Sequence, residues 1–194
     1  MYVYFSLLEE YNAAEIFLKL YPNIFTRLLE KEYNASTFWN SHFKDSKADI
    51  VFYLNDDVVL APECLINTIN SMELHFPDYD GIIGIAQENI PIEQQCKCAF
   101  GAIGNTFMDR FPDRQVFNPK YKRFYLDQEL YEYSSNINKY YFEETAKLIH
   151  LHPAFTKNAM DETHKNVRKH LGHDKLLYQR RHKEGLVWGG SYEV

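Results

Sequence analysis

Several things are scarce in this chain, and each scarcity removes a class of answer. It has only three cysteines in 194 residues, the odd set Cys64, Cys96 and Cys98. Cys96-Lys97-Cys98 has no second pair with which to build a zinc finger, so reduced thiols in a cytoplasm-like compartment are expected. No apolar run approaches the roughly 18 residues that cross a bilayer, and the N-terminus lacks the basic, apolar and small-residue order of a secretory signal. No integral membrane segment and a cytoplasmic location are therefore the expectation. Basic charge is short as well. Lys and Arg number 21 against 27 Asp and Glu, a formal charge of −6, which argues against nucleic acid as a partner. Repeats, low-complexity tracts and domain boundaries are all missing.

What remains is an apolar fraction of 45%, enough to bury a core, and a length that fits one domain over residues 1–194. Fifteen Tyr and fourteen Phe suit stacking on sugar or base rings, although a core and surface explanation suffices. Lys165, Arg168, Lys169, Lys175, Arg180, Arg181 and Lys183 crowd into one C-terminal stretch. That cluster reads as a solvated helix face before it reads as a patch steering a phosphate.

Patterning along the chain predicts strands over residues 1–8, 25–29, 50–54, 82–86 and 140–150, and helices over 13–20, 36–43 and 63–74. Leu65, Ile66 and Ile69 supply the apolar face of the last of these helices. A largely helical tail is expected from about residue 160. Residues 96–108 read as strand or extended chain broken by Gly101 and Gly104, which are taken as close-approach or bulge positions because their spacing is not that of a phosphate-binding loop. Alternation of strand-like and helix-like pieces predicts an α/β architecture. Residues 50–54 form an unbroken apolar run, the pattern of a strand buried on both faces in the parallel part of a sheet.

Three polar centres stand out. Asn55, Asp56 and Asp57 come after the apolar strand, where its carboxyl end would open into a crevice. Adjacent acids there can grip a divalent cation through oxygen while a neighbour bonds a sugar hydroxyl; equally, Asn and Asp after a strand are ordinary turn residues. Asp127, with Glu129 and Leu130 just beyond, suits the start of a helix, as a cap. His150 and His152, two apart in an extended segment, can present both imidazoles to one ligand, although exposed strand histidines are common.

Taken in order, these residues resemble the nucleotide-sugar glycosyltransferases of the GT-A fold, in particular family 2. The similarity runs from about residue 25 to 181. It includes Tyr53-Leu54-Asn55-Asp56-Asp57, the preceding Asn34 and Asn40, Leu126-Asp127-Gln128-Glu129-Leu130, His150-Leu151-His152-Pro153, and a tail with Met160-Asp161-Glu162-Thr163-His164, Asp174-Lys175 and Tyr178-Gln179-Arg180-Arg181. The resemblance implies a Rossmann-like three-layer sandwich with a mostly parallel central sheet. It also implies a metal-dependent inverting transfer of sugar from a nucleotide-sugar donor, a UDP-sugar foremost, to a glycan or other hydroxyl acceptor. Asn55-Asp56-Asp57 would stand for the Asp-x-Asp motif. Asp57 would bind Mn²⁺ or Mg²⁺, Asp56 would touch the ribose or the metal shell, and Asn34 and Asn55 would line the donor site. Asp127 would be the general base and His152 a further metal ligand, with His150 second in line. Glu129, close by in sequence, or burial would raise the pKa of Asp127. The family's opening strand and its Pro-x-Tyr-Asn-like loop have no counterpart, and the nearest match to its second strand is the stretch with Glu9, Glu10 and Asn12. The alternative expectation is a non-catalytic module of the same fold that binds a sugar or nucleotide.

Overall fold

The protein divides into two compact units, residues 1–34 and 35–194. The computed structural model describes residues 2–5, 25–28, 34–55, 57–152 and 168–190. The expected helix at 13–20, the residues Glu9, Glu10, Asn12 and Asp56, and the tail segment with Met160 and Asp161 lie outside these. In the first unit, β1 (Tyr2–Phe5) and β2 (Phe25–Leu28) pair in parallel, with Tyr2 opposite Phe25.

The second unit is built on a five-stranded sheet. Its elements in chain order are α1 (Ala35–Asp45), β3 (Ile50–Tyr53), β4 (Val58–Leu60), α2 (Cys64–His75), β5 (Ile82–Gln87), β6 (Gly101–Gly104), α3 (Asn105–Met108), α4 (Leu126–Asn136), β7 (Tyr140–His150) and α5 (Leu171–Lys183). The strand order is β3-β6-β5-β7-β4. An α/β architecture is what the sequence patterning predicts, but the mostly parallel sheet is not what forms. Within this sheet only β5 and β7 pair in parallel; β3 with β6, β6 with β5, and β7 with β4 are antiparallel. The reason is topological. β3, β5 and β7 do run the same way, as helix-linked strands should, but after residues 88–100 β6 returns antiparallel and inserts between β3 and β5. β4 then adds to the far edge. In this sheet β3 has β6 as its neighbour on one side, and its Ile50, Val51 and Phe52 are half-buried rather than enclosed on both faces.

Helices cover both faces. On one face α2 brings Cys64 and Met72 against Ile83, Ile85, Ala102 and Leu148. On the other, α1, α3, α4 and α5 bring Phe43, Phe107, Leu130, Tyr133 and Leu177 against Tyr53, Ile82 and Ile103. The alternation of Ile82 and Ile83 to opposite faces comes from the two-residue period of a strand. The buried face of α2 is Cys64, Thr68, Ser71 and Met72, whereas Leu65 and Ile66 are 43% and 52% exposed. The apolar face predicted from Leu65, Ile66 and Ile69 is thus the wrong one, because the helical stripe that meets the sheet runs through Cys64, Thr68, Ser71 and Met72 instead. Gly101 and Gly104 are close-approach positions: a Cβ on Gly104 would collide with the backbone carbonyl of Tyr79, and one on Gly101 with that of Ile83.

β3 and β4 lie at opposite edges of the sheet, four strand intervals apart, or about 19 Å if the sheet were flat. Five residue steps join Tyr53 to Val58, a reach of about 18 Å at most. The sheet is therefore curled.

Candidate functional site

That carboxyl edge is where polar side chains collect. Tyr53, Gln87 and His150 end β3, β5 and β7 there, and Gly101 and Val58 begin β6 and β4. The β5–β7 pairing shifts register between Ile85, opposite Glu143, and Ala86, opposite Lys147. Residues 144–146 thus bulge out of β7, and a bulge bends its strand and re-aims the side chains beyond it. Past the bulge, Leu148 to His150 pair with β4.

His150 is held from several sides. Its backbone N–H donates to Oδ1 of Asn89 at 3.1 Å, and its carbonyl accepts from Asn89 Nδ2 at 2.8 Å. Phe100 packs edge-on against the ring, with centroids 4.9 Å apart. Nδ1 lies 3.1 Å from Oε1 of Gln87, and Nε2 lies 3.2 Å from Oδ2 of Asp57. The Asp57 carbonyl accepts the Leu151 N–H at 2.8 Å, closing the pair from the backbone side. The His152 ring is next, 5.4 Å from that of His150.

Hydrogen bonding from His150 lowers the pKa of Asp57 against the opposing effect of burial, with the charges of His150 and His152 adding to it. The second carboxylate oxygen, Oδ1, is buried without a hydrogen-bond partner. Nε2 of His150 and Oδ2 of Asp57 are spaced as two ligands of one ion could be: at right angles and each about 2.1 Å from it, they would stand about 3.0 Å apart. The orphaned Oδ1 and this 3.2 Å edge fit a divalent cation. Among the described residues no three His, Cys, Asp or Glu side chains form a metal-holding group.

Asp127 lies in the first turn of α4. The N-cap of that helix is Tyr125, which makes no side-chain cap bond. Asp127 is therefore not the cap residue, although its carboxylate does accept first-turn backbone N–H groups, including that of Gln128. Burial raises its pKa, against hydrogen bonds from Cys96 and these N–H groups and the charge of Arg123. Glu129 is not among the leading causes of this shift. Its carboxylate is bonded to Arg181, Trp188 and Asn118 instead, because residues two apart on a helix point in different directions. Tyr53, at the end of β3, has its phenol pKa raised by burial first, then by Cys98, Tyr140, Cys96 and Asp127. Asp127 thus stands at the β3 and β6 side of the same sheet edge that holds Asp57 and His150 at the β7 and β4 side. The turn of residues 96–100 separates them, with Cys96 against Asp127 and Phe100 against His150.

No family model matches this chain, and no curated protein matches it significantly.

Of the other candidates, Asn55 is half-buried in the connection between β3 and β4, and Asn34 belongs to the first unit. Sequence reasoning passed over Gln87, Asn89 and Phe100. Gln87 had a usable signal, since it ends an unbroken apolar run much as Asn55 comes after one.

Proposed function

We propose that this protein is a metal-dependent inverting glycosyltransferase of GT-A type, moving sugar from a nucleotide-sugar donor to an acceptor hydroxyl. The observation carrying this reading is Asp57 at the sheet's carboxyl edge, with Oδ1 buried and unpartnered and Oδ2 3.2 Å from His150 Nε2. Helices on both faces of a sheet whose β3, β5 and β7 share a direction also support it.

In this reading Asp57 and His150 would hold the cation, the His152 ring stands beside that of His150, and Gln87 keeps the His150 ring turned toward Asp57. A bound Mn²⁺ or Mg²⁺ supplies positive charge against the diphosphate that departs. Asp127 accepts the proton of the acceptor hydroxyl as that oxygen attacks the anomeric carbon. A carboxylate of raised pKa is the stronger base for this work. Asn55 bonds donor hydroxyls from the connection above.

One observation favours the second reading, a binding module without turnover: Oδ2 of Asp57 is already engaged by His150, 3.2 Å from its Nε2. A donor panel separates the two. Nucleotide sugars with Mn²⁺ should raise the unfolding temperature and release nucleoside diphosphate when an acceptor is added, and both effects should vanish in Asp57→Ala. Stabilisation without product selects the binding module. No stabilisation and no product by any donor sinks both.

A further inference from the structure

Helix α5 carries two buried charged side chains for which the chemistry above has no use. Asp174 is 0% exposed. Its Oδ2 accepts the backbone N–H groups of Lys122, Arg123 and Phe124 at 3.1, 2.8 and 2.9 Å, and Nδ1 of His173 lies 2.8 Å from its Oδ1. Two turns along the same face, Arg181 is 3% exposed. Its Nε donates to Oε1 of Glu129 at 2.9 Å, and a terminal guanidinium nitrogen lies 2.8 Å from the same oxygen. That Glu129 oxygen also takes the Trp188 N–H at 3.1 Å, and Asn118 Nδ2 lies 3.4 Å from the other. Between these two grips Tyr178 of α5 stacks on Tyr125, with ring centroids 4.9 Å apart. Tyr125 has φ 65° and ψ −5°, a left-handed conformation that a tyrosine keeps only where its surroundings impose it.

These contacts bracket one functional residue. Asp127 lies between the segment 122–124 that Asp174 holds and the Glu129 that Arg181 holds. A buried carboxylate is retained where hydrogen bonds replace lost water. Burial pushes the Asp174 pKa up, but bonds from Phe124, His173, Arg123 and Lys122 outweigh it and keep the group ionised.

We infer that Asp174 and Arg181 are positioning residues that clamp residues 122–129 onto α5 and so fix the Asp127 carboxylate at the sheet edge. The value of the clamp to catalysis rests on Asp127 being the base. The clamp itself is measurable without any activity.

Hydrogen exchange on the intact native chain is the first test. The amides of residues 122–124 should open together with those of Leu177 to Arg181, with protection far above that of a surface turn. Exchange at the rate of an open loop overturns the clamp. The second test tracks the titration of the Asp127 carboxyl in ¹³C-labelled protein, and the alkylation rate of Cys96 beside it. Among the described residues, Cys96, Cys98, Tyr53 and Arg123 are the ionisable groups facing Asp127. Asp174→Asn and Arg181→Lys should lower the Asp127 midpoint by about one pH unit, because loosening admits water. They should also speed alkylation at least about tenfold. Leu177→Ala, which weakens α5 packing without touching either grip, should do neither. Unchanged values in folded Asp174→Asn and Arg181→Lys, or equal changes in Leu177→Ala, refute the clamp; should those variants not fold, native-state exchange decides alone.

Transfer kinetics then separate the two claims. The clamp variants should lose kcat by about tenfold or more with donor KM nearly constant, and the acidic limb of the rate profile should move to lower pH. A native chain that shows coupled exchange but transfers no sugar removes the base role of Asp127 and leaves the clamp standing.

Discussion

His150 Nε2 lies 3.2 Å from Asp57 Oδ2, although 93 positions separate the two residues in the chain. The contact exists because β4 pairs with the end of β7, with Val58 opposite His150. That pairing delivers the residue before Val58 directly to the imidazole.

If the pair holds a cation, Mn²⁺ together with a nucleoside diphosphate should stabilise the native chain, by about 2.7 kcal/mol at one hundred times its dissociation constant. Asp57→Asn and His150→Gln should each abolish that rise in a thermal-shift titration. An undiminished rise in Asp57→Asn would remove the metal role from this residue.

The raised pKa of Asp127 makes a signed claim about rate. A base works deprotonated, so kcat/KM should climb with pH through a midpoint above the ordinary aspartate value of about 3.9. Asp127→Asn should lower kcat by about 10² to 10⁴ while donor affinity stays close to native. Full activity in Asp127→Asn would place the base elsewhere.

Away from the site, Asp80 is 6% exposed and takes Nε of Arg110 at 2.5 Å and Nζ of Lys139 at 2.8 Å. The Arg110 hydrogen bond comes first in lowering its pKa, against burial and with Lys139 assisting. A depressed carboxylate contributes stability above its unfolded value of about 3.9 and loses it as pH falls through the folded value. Asp80→Asn should therefore flatten the acid side of the stability profile. Breaking a fully buried pair costs about 3–5 kcal/mol, and Arg110 is partly exposed, so a loss of about 2 kcal/mol is expected near neutrality. Urea denaturation at several pH values measures both.

Gly104→Ala should be among the most damaging single substitutions outside the site. Its Cβ would meet the Tyr79 backbone, which has no rotamer by which to give way. A loss of about 3 kcal/mol or more in stability is expected, whereas Gly172→Ala on the exposed side of α5, where nothing lies within 4 Å, should be neutral or stabilising. Thermal unfolding of the two variants side by side measures the difference.

The sequence made local features legible and left pairing obscure. The strand at Ile82–Gln87, the helices at Ala35–Asp45 and Cys64–His75, and the long Tyr140–His150 strand all carry period or breaker signals in their own residues. Strand direction does not. Nothing in Gly101–Gly104 says that it will insert between β3 and β5, since that choice is made by partners about 20 and 50 residues away. At the site, the polar residues after β3 and at the end of β7 were visible as candidates because polar groups ending apolar runs are conspicuous. The Gln87 contact was not, and neither were the grips of Asp174 and Arg181. Asp174 and Arg181 sit among exposed charges on a polar helix, and only burial distinguishes them.

The short pairing of β4 with β7 carries an evolutionary consequence. Val58 to Leu60 meet His150 to Leu148 over three positions only, and a slip of that register would part the Asp57 carboxylate from the imidazole, so lineages should exchange the facing side chains far more readily than they shift the pairing.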